Sequence, residues 1–436
     1  MRDVIIGAGA AGISAAEAIR SIDQEVQITM ISSEEKPLYS RPLISYYLAG
    51  KLKEEEIFYR SDDFFEKNNI DPILKKKAVK VNTQNNTVKL QTGEEIEYDN
   101  LLLATGSSPK IPSIEGLEME MEMEMEGVIA LRTLEDVKEI LSLLPKVRKA
   151  VVLGGGLVGL KAAEGLHLRG VEVTVSVSSA HVLSQMIDAG AAQIYEKLLK
   201  EKGIRIATGT RPSQVMGDGS VRGIKMESGE ELECQLVVIG KGVSANMDLI
   251  ENTKIEREYG VIIDDHCQTN VKNVWAAGDV AQSLDVVRGE KWTNALWPSA
   301  TEQGKVAGLN MASKEAIYKG SMGMNSIQFF GLPVISAGLA GLREKGWDEE
   351  IIKKDERRRI YKRLLLKENK VVGFVLVGDV KNAGIIRSLI AKGVDIREIK
   401  GDILKDTFNF SSIAPLVKEN EEKFPEGEYQ RIRRVI

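Results

Sequence analysis

The chain has 436 residues, 43% of them hydrophobic and 28% charged, with a formal net charge of −5. That length exceeds what one hydrophobic core supports, since single cores stop growing near ~250–300 residues, so two or three domains are expected. The charge forms no basic stripe, which argues against nucleic acid as a partner, and no apolar run approaches the ~20 residues that a membrane span needs.

A strand is predicted from Asp3 to Ile6. It leaves no room ahead of the first motif for a charged and apolar leader, and the expectation is a cytoplasmic chain. The strand runs into Gly7-Ala8-Gly9-Ala10-Ala11-Gly12, and a helix of small residues follows from Ile13 to Arg20. This is GxGxxG in its strand, turn, helix setting. Gly7 permits the tight turn, Gly9 lets the backbone approach a pyrophosphate, and Gly12 lets the helix pack on the strand. Ala10 and Ala11 fall at the helix N-terminus, whose free N–H groups and dipole suit phosphate. A second strand, Gln27 to Ile31, follows at the βαβ distance and ends in Ser32-Ser33-Glu34. Glu34 is the natural acceptor for an adenosine ribose hydroxyl, with Ser33 beside it.

The tract from Glu118 to Glu126 alternates glutamate and methionine. Period-two alternation would put the methionines on one face of a strand, yet the charge and composition disfavour pairing. A solvated loop insertion is expected; the sharper alternative is a methionine-faced docking strip for a partner subunit.

The glycine pattern then recurs. Ala150 to Leu153 leads into Gly154-Gly155-Gly156-Leu157-Val158-Gly159, a helix from Leu160 to Arg169 and a strand from Glu172 to Val177. Two dinucleotide sites in one chain suggest electron transfer between them, with a nicotinamide and a flavin ring stacked together. Cys234 and Cys267 are the only cysteines and form no CxxC, so they read as buried or incidental thiols. His167, His181 and His266 have no metal-ligand spacing with them or with each other, and no metal site is expected.

Beyond the two glycine loops, further motifs resemble the FAD-dependent pyridine nucleotide-disulfide oxidoreductase superfamily over nearly the whole chain. Leu101 to Pro109, with Ala104-Thr105-Gly106, looks like the strand and turn that leave the first FAD segment, and Leu236 to Gly240 looks like its counterpart in the NAD domain. Val274-Trp275-Ala276-Ala277-Gly278-Asp279 resembles the second FAD fingerprint, whose aspartate binds the ribityl chain. Asn294 to Asn310 resembles the helix that follows, with Trp297 and Ala300 at the end facing the flavin. Within the superfamily, Tyr39-Ser40-Arg41-Pro42-Leu43 and Leu131-Arg132-Thr133-Leu134-Glu135-Asp136 are most similar to the rubredoxin, ferredoxin and nitrite reductase flavoproteins. The resemblance implies that Arg41, Pro42, Val79 and Arg132 contact FAD, Arg132 at the phosphates.

Three positions depart from the pattern. A related branch carries a reactive cysteine three residues before a Pro-Tyr-Tyr; aligned with Ser45-Tyr46-Tyr47, that position is Pro42, which excludes thiolate chemistry. The acidic position that ends the second strand of the NAD unit is Val177, followed by Ser178. The absence of arginine there favours NAD, with NADP not excluded. Two residues after the last glycine the family usually places a glutamate. This chain has Lys161, expected to stabilise an anionic reduced flavin or to contact a phosphate.

The implied fold is α/β, with two Rossmann-like dinucleotide-binding domains, for FAD and NAD, plus a C-terminal α+β domain. Residues 1–110 and 240–315 would form the FAD domain, 111–239 the NAD(P) domain and 316–436 the C-terminal domain. Within the last, strands are expected at 326–330, 359–366 and 371–377, and a helix at 383–392. Residues 402–436, ending in Arg431, Arg433 and Arg434, are expected to form a solvated tail, with partner binding as the alternative. The implied activity is hydride transfer from NAD(P)H to FAD, then one-electron steps to a rubredoxin-like, ferredoxin-like or iron–sulfur protein. The acceptor is free-standing or a subunit of a larger complex, and a homodimer is the other assembly open to the chain. The rival readings are an NADH oxidase reducing oxygen at FAD, and an FAD-only carrier subunit.

Overall fold

Val4, Ile5 and Ile6 are apolar in succession, and a strand so composed has to be covered on both faces. In the computed structural model, which describes residues 1–117, 125–341 and 344–424, Arg2–Ile6 lies at the centre of a five-stranded parallel sheet. Asn100–Leu103 and then Val274–Ala276 flank it on one side, Gln27–Ile31 and then Ile70–Ile73 on the other. Helices Ala10–Arg20 and Trp297–Met311 pack against each other backbone to backbone. A Cβ on Gly304 would lie 2.1 Å from the Ala11 carbonyl oxygen, and one on Gly308 would lie 2.3 Å from that of Ala15. Glycines four apart on one helix face permit this approach.

A second parallel sheet repeats the plan in the order Arg205–Thr208, Glu172–Val177, Lys149–Leu153, Leu236–Ile239 and Val128–Ala130. Both glycine-loop helices begin three residues earlier than predicted, at Ala10 and Leu157, so that the third glycine of each loop lies inside the first turn. A ribbon of Ser107–Pro109 and Val243–Ala245 pairs the chain leaving the first sheet with the chain leaving the second.

The third sheet is antiparallel: Met324–Phe329, Leu332–Gly338, Lys370–Val377, Ile360–Lys367 and Glu349–Asp355, in that order. Helix Ala383–Lys392 covers it. Two of these strands were not predicted. Leu332–Gly338 contains Pro333 and Gly338, which read as punctuation, and Glu349–Asp355 is mostly charged. The first hairpin turns at Phe330 and Gly331, both with positive φ (47° and 82°), the geometry that matches strand twist.

The tail expectation is corrected for residues 402–424. Ile403, Phe408, Leu416, Val417 and Phe424 are buried in the core of this third unit, so the segment is held by apolar packing. Arg431, Arg433 and Arg434 lie outside the described residues, as does the Glu-Met tract at 118–124. Of that tract's remainder, Met125 packs on the core beneath the second sheet, and Glu126 bridges to Ser220. No helix among the described residues is long and apolar enough to cross a membrane.

Candidate functional site

Two cradles of matching geometry stand at the C-terminal edges of the parallel sheets. In the first, Gly7 has φ 114° and a Cβ there would sit 2.0 Å from the Ala104 carbonyl oxygen; a Cβ on Gly12 would sit 1.9 Å from that of Gly7. In the second, Gly154 has φ 127°, with corresponding approaches of 2.3 Å to Gly240 and 2.0 Å from Gly159 to Gly154. The middle glycines differ from the outer ones in the same way in both loops: a Cβ on Gly9 or on Gly156 meets nothing within 4 Å. The outer glycines therefore hold helix to strand, and the middle glycine fronts open space. Neither helix start has a side-chain cap or an acidic residue in its first turn, whereas Thr133 and Asp188 cap their own helices. The uncapped N–H groups, among them those at Ala10, Ala11, Leu157 and Val158, are free for an anion. Both cradles fit a dinucleotide pyrophosphate.

Around the first cradle, the charged residues expected at FAD are joined to one another. Glu34 accepts from Tyr39 Oη (2.6 Å) and is paired with Arg41. Arg41 also donates to the Arg132 carbonyl (3.3 Å). Arg132 in turn donates to Asp279 Oδ2 (2.8 Å) and to Ser107 Oγ (2.8 Å). The chain of contacts runs from the end of the second strand, where an adenosine ribose would lie, to Asp279 at the second FAD fingerprint. Gly278 (φ 84°) backs it, its Cβ position 3.1 Å from Ala11 and 3.6 Å from Ala300. Trp297 opens its helix edge-on to Tyr59 at 5.1 Å. Thr105 and Gly106 are fastened to Asn246, Thr105 Oγ1 donating to its carbonyl at 2.9 Å. Pro42 and Ser33 are exposed. Val79 is exposed as well, on Ala78–Asn82 of a small separate sheet; the chain entering that strand runs along Ser32 to Glu34 through Lys76 N–H to Ser32 O (3.1 Å).

Lys161 is placed differently from the expectation of a direct cofactor contact. It is 6% exposed, and its ammonium donates to Glu164 Oε2 and to the Gln328 carbonyl, both at 2.7 Å. The rings of Tyr46 and Phe329 lie 4.8 and 5.2 Å away. Glu164 also accepts from Lys51 Nζ (3.1 Å) and from the Phe330 N–H (2.9 Å). Burial alone would raise the Glu164 carboxyl. Hydrogen bonds from Lys161 and Phe330, with the charge of Lys161, outweigh it and hold the group below the usual carboxylate range. The spacing of three residues puts Lys161 and Glu164 on one helix face, where they pair. The cluster fastens three segments together: Tyr46 and Lys51, the second glycine-loop helix, and the first hairpin of the third sheet.

Both thiols are buried, and burial pushes Cys234 up to about 12 and Cys267 further. Thiol alkylation of the native protein is expected to leave both unmodified and flavin reduction unchanged, as read by intact mass and flavin absorbance. Rapid labelling with loss of flavin reduction would contradict it. Asp264, Asp265 and His266 bring ligand atoms within 4.8 Å of one another at the surface, a carboxylate grouping that histidine and cysteine spacing does not reveal.

At the second cradle, Val177 packs over Gly155, whose Cβ position is 2.8 Å from it. His181 is buried, with Nδ1 at 2.8 Å from the Val182 carbonyl, so it does not serve the loop as a surface donor. No arginine follows Val177 in sequence, but a lysine from another segment stands beside Ser178: Lys241, whose Nζ lies 3.4 Å from Ser178 Oγ. Lys241 comes from the turn after Gly240, the counterpart of Thr105 after Ala104.

Residues 1–304 match the family described as pyridine nucleotide-disulphide oxidoreductase. The chain belongs to that family. Residues 324–394 of this oxidoreductase match the rubredoxin NAD+ reductase C-terminal domain. The epsilon subunit of NADH-dependent phenylglyoxylate dehydrogenase from Aromatoleum evansii is 33% identical over 400 residues, 91% of this chain and 93% of that one. The NAD(P)H nitrite reductase of Bacillus subtilis (strain 168) is 32% identical over 95% of this chain but 49% of its own, so this oxidoreductase spans about half of that relative. The crystal structure of NADH:rubredoxin oxidoreductase from Clostridium acetobutylicum aligns with a TM-score of 0.76 at 27% identity, covering 92% of this chain and 97% of that one.

Proposed function

We propose that this oxidoreductase holds FAD in the first cradle and NADH in the second, and passes electrons between them and a rubredoxin-like or iron–sulfur electron-transfer protein. The observation that carries the reading is the duplicated cradle with proline in place of an exchange thiol. FAD, when bound, takes up two electrons as a hydride and releases them singly. The chain's own residues bind and orient. Glu34, held by Tyr39, is the ribose acceptor of the first cradle; Arg132, held by Ser107, offers its guanidinium to phosphate; Asp279 accepts from a ribityl hydroxyl. Gly9 and Gly156 admit the two pyrophosphates. Lys161 acts as a positioning residue, keeping the second helix fastened to the hairpin at Gln328 to Phe330. A partner that is a subunit of a larger complex is supported by the likeness to a dehydrogenase epsilon subunit.

The test is anaerobic electron transfer from NADH to oxidised rubredoxin or a two-iron ferredoxin, followed by the acceptor's visible absorbance. Turnover that requires FAD and the protein acceptor is expected, with slow oxygen uptake when the acceptor is omitted. Fast NADH consumption by oxygen alone, with no reduction of any iron–sulfur or rubredoxin acceptor, would overturn the reading in favour of an oxidase.

A further inference from the structure

The rim of the second cradle carries a feature that its glycine loop does not explain. Three strand ends of the second sheet meet there. Ser178 follows Glu172–Val177, and Lys241 follows Leu236–Ile239 by way of Gly240. The turn after Arg205–Thr208 is tied to the same place, Gly209 N–H donating to the carbonyls of Val177 (2.8 Å) and Ser179 (3.2 Å), and it leads two residues on to Arg211. Ser178, Arg211, Lys241 and Glu227 line one open cavity of about 330 Å³, together with Pro112 and Ile114.

The charges in this cavity do not balance internally. Burial and then the nearby Arg211 guanidinium lower the Lys241 ammonium pKa, and Glu227 offsets this only in part. Two cations and one carboxylate leave a single net positive charge facing Ser178. An anion placed between Lys241 and Arg211 would relieve their repulsion and take hydrogen bonds from both cations and from the Ser178 hydroxyl. The end of the second strand of a Rossmann unit is where the 2′ position of the adenosine ribose lies. Val177, lying over Gly155, supplies no carboxylate for a ribose diol there.

We propose that Lys241, Arg211 and Ser178 form a 2′-phosphate subsite, so that the second cradle accepts NADPH as well as NADH. The inference rests on the reading of that cradle as a nicotinamide dinucleotide site. Its cations come from two loops far in sequence from the segment that usually decides the matter, so a neutral Val177-Ser178 pair does not make the site selective for NADH. Glu227 is the opposing group and limits the gain.

The test is calorimetric titration of the protein loaded with oxidised FAD with 5′-AMP and with adenosine 2′,5′-bisphosphate, with NAD+, which cannot reduce the flavin, as the control ligand. The bisphosphate is expected to bind roughly tenfold tighter than 5′-AMP at low ionic strength, with the advantage shrinking as salt screens it. Lys241→Glu should abolish the advantage, Arg211→Ala should reduce it, and Glu227→Gln should enlarge it. Equal affinities in the native protein, or an advantage that persists in Lys241→Glu, would overturn the assignment while leaving the dinucleotide site standing. If NAD+ and both adenosine ligands fail to bind, the reading of the second cradle falls and takes this inference with it.

Discussion

A Gly9→Glu protein is expected to fold normally and purify without flavin, its FAD affinity reduced by at least roughly 100-fold, equivalent to about 2.7 kcal/mol. A Cβ on Gly9 meets nothing within 4 Å, so the apoprotein accommodates the longer side chain, but its carboxylate then stands where the pyrophosphate approaches the uncapped helix. Gly12→Ala gives the complementary result. Its methyl would lie 1.9 Å from the Gly7 carbonyl oxygen, so helix and strand must separate, and overpacking of this kind typically costs about 1–3 kcal/mol. Far-ultraviolet circular dichroism, melting temperature and flavin content distinguish the two. A Gly9→Glu protein that stays yellow, or a Gly12→Ala protein as stable as the native one, would show that the roles of the two glycines have been exchanged.

Glu164→Ala is expected to lower the stability of the protein by about 3–5 kcal/mol, the usual cost of leaving a buried charge without its partner. Of its hydrogen bonds Lys161 would keep only the one to the Gln328 carbonyl, and the Phe330 N–H would lose its acceptor. The loss should appear as earlier unfolding of the segments the cluster fastens, detectable by hydrogen exchange around residues 157–168 and 324–338. A Lys161→Met, Glu164→Leu pair should recover most of it. The sign of the pH dependence follows from the depressed carboxyl of Glu164. A group whose folded pKa lies below its unfolded value contributes stability above the unfolded value, near ~4.3, and loses it as pH falls through the folded one. Native protein should therefore show an acid-dependent loss of stability that Glu164→Gln lacks. Unchanged exchange and melting in Glu164→Ala would remove the positioning role assigned to the cluster.

Much of the nucleotide-binding plan was legible because its signals are contiguous. Each glycine loop sits within about six residues of its strand and helix, and the demand for bare Cα atoms at Gly7, Gly12, Gly154 and Gly159 is local. Pro42 was equally readable, since a single residue type decides whether a thiolate exists. What stayed hidden depends on convergence. Arg132 and Asp279 were each read as cofactor ligands, but their pairing across 147 residues was not visible. Lys161 was read by its distance from a glycine, although Glu164, three residues on, held the better clue: two opposite charges at helical spacing on an otherwise apolar helix. Lys241 could have been found by carrying the likeness between Ala104-Thr105 and Gly240-Lys241 one residue further. Arg211 could not, because only the turn at Gly209 brings it to Ser178. The 402–424 segment was misread because its apolar residues are spaced irregularly through turns, with no helical or strand period to mark them as core.

The most direct test of the central claim is anaerobic reduction of the FAD-loaded protein by NADH, followed by flavin absorbance in a stopped-flow instrument. The account predicts that a stoichiometric amount of NADH bleaches the flavin, that Gly156→Glu abolishes the bleaching while flavin remains bound, and that thiol alkylation does not affect it. A protein that binds FAD yet shows no bleaching with either NADH or NADPH would contradict the account and leave an FAD-only carrier in its place.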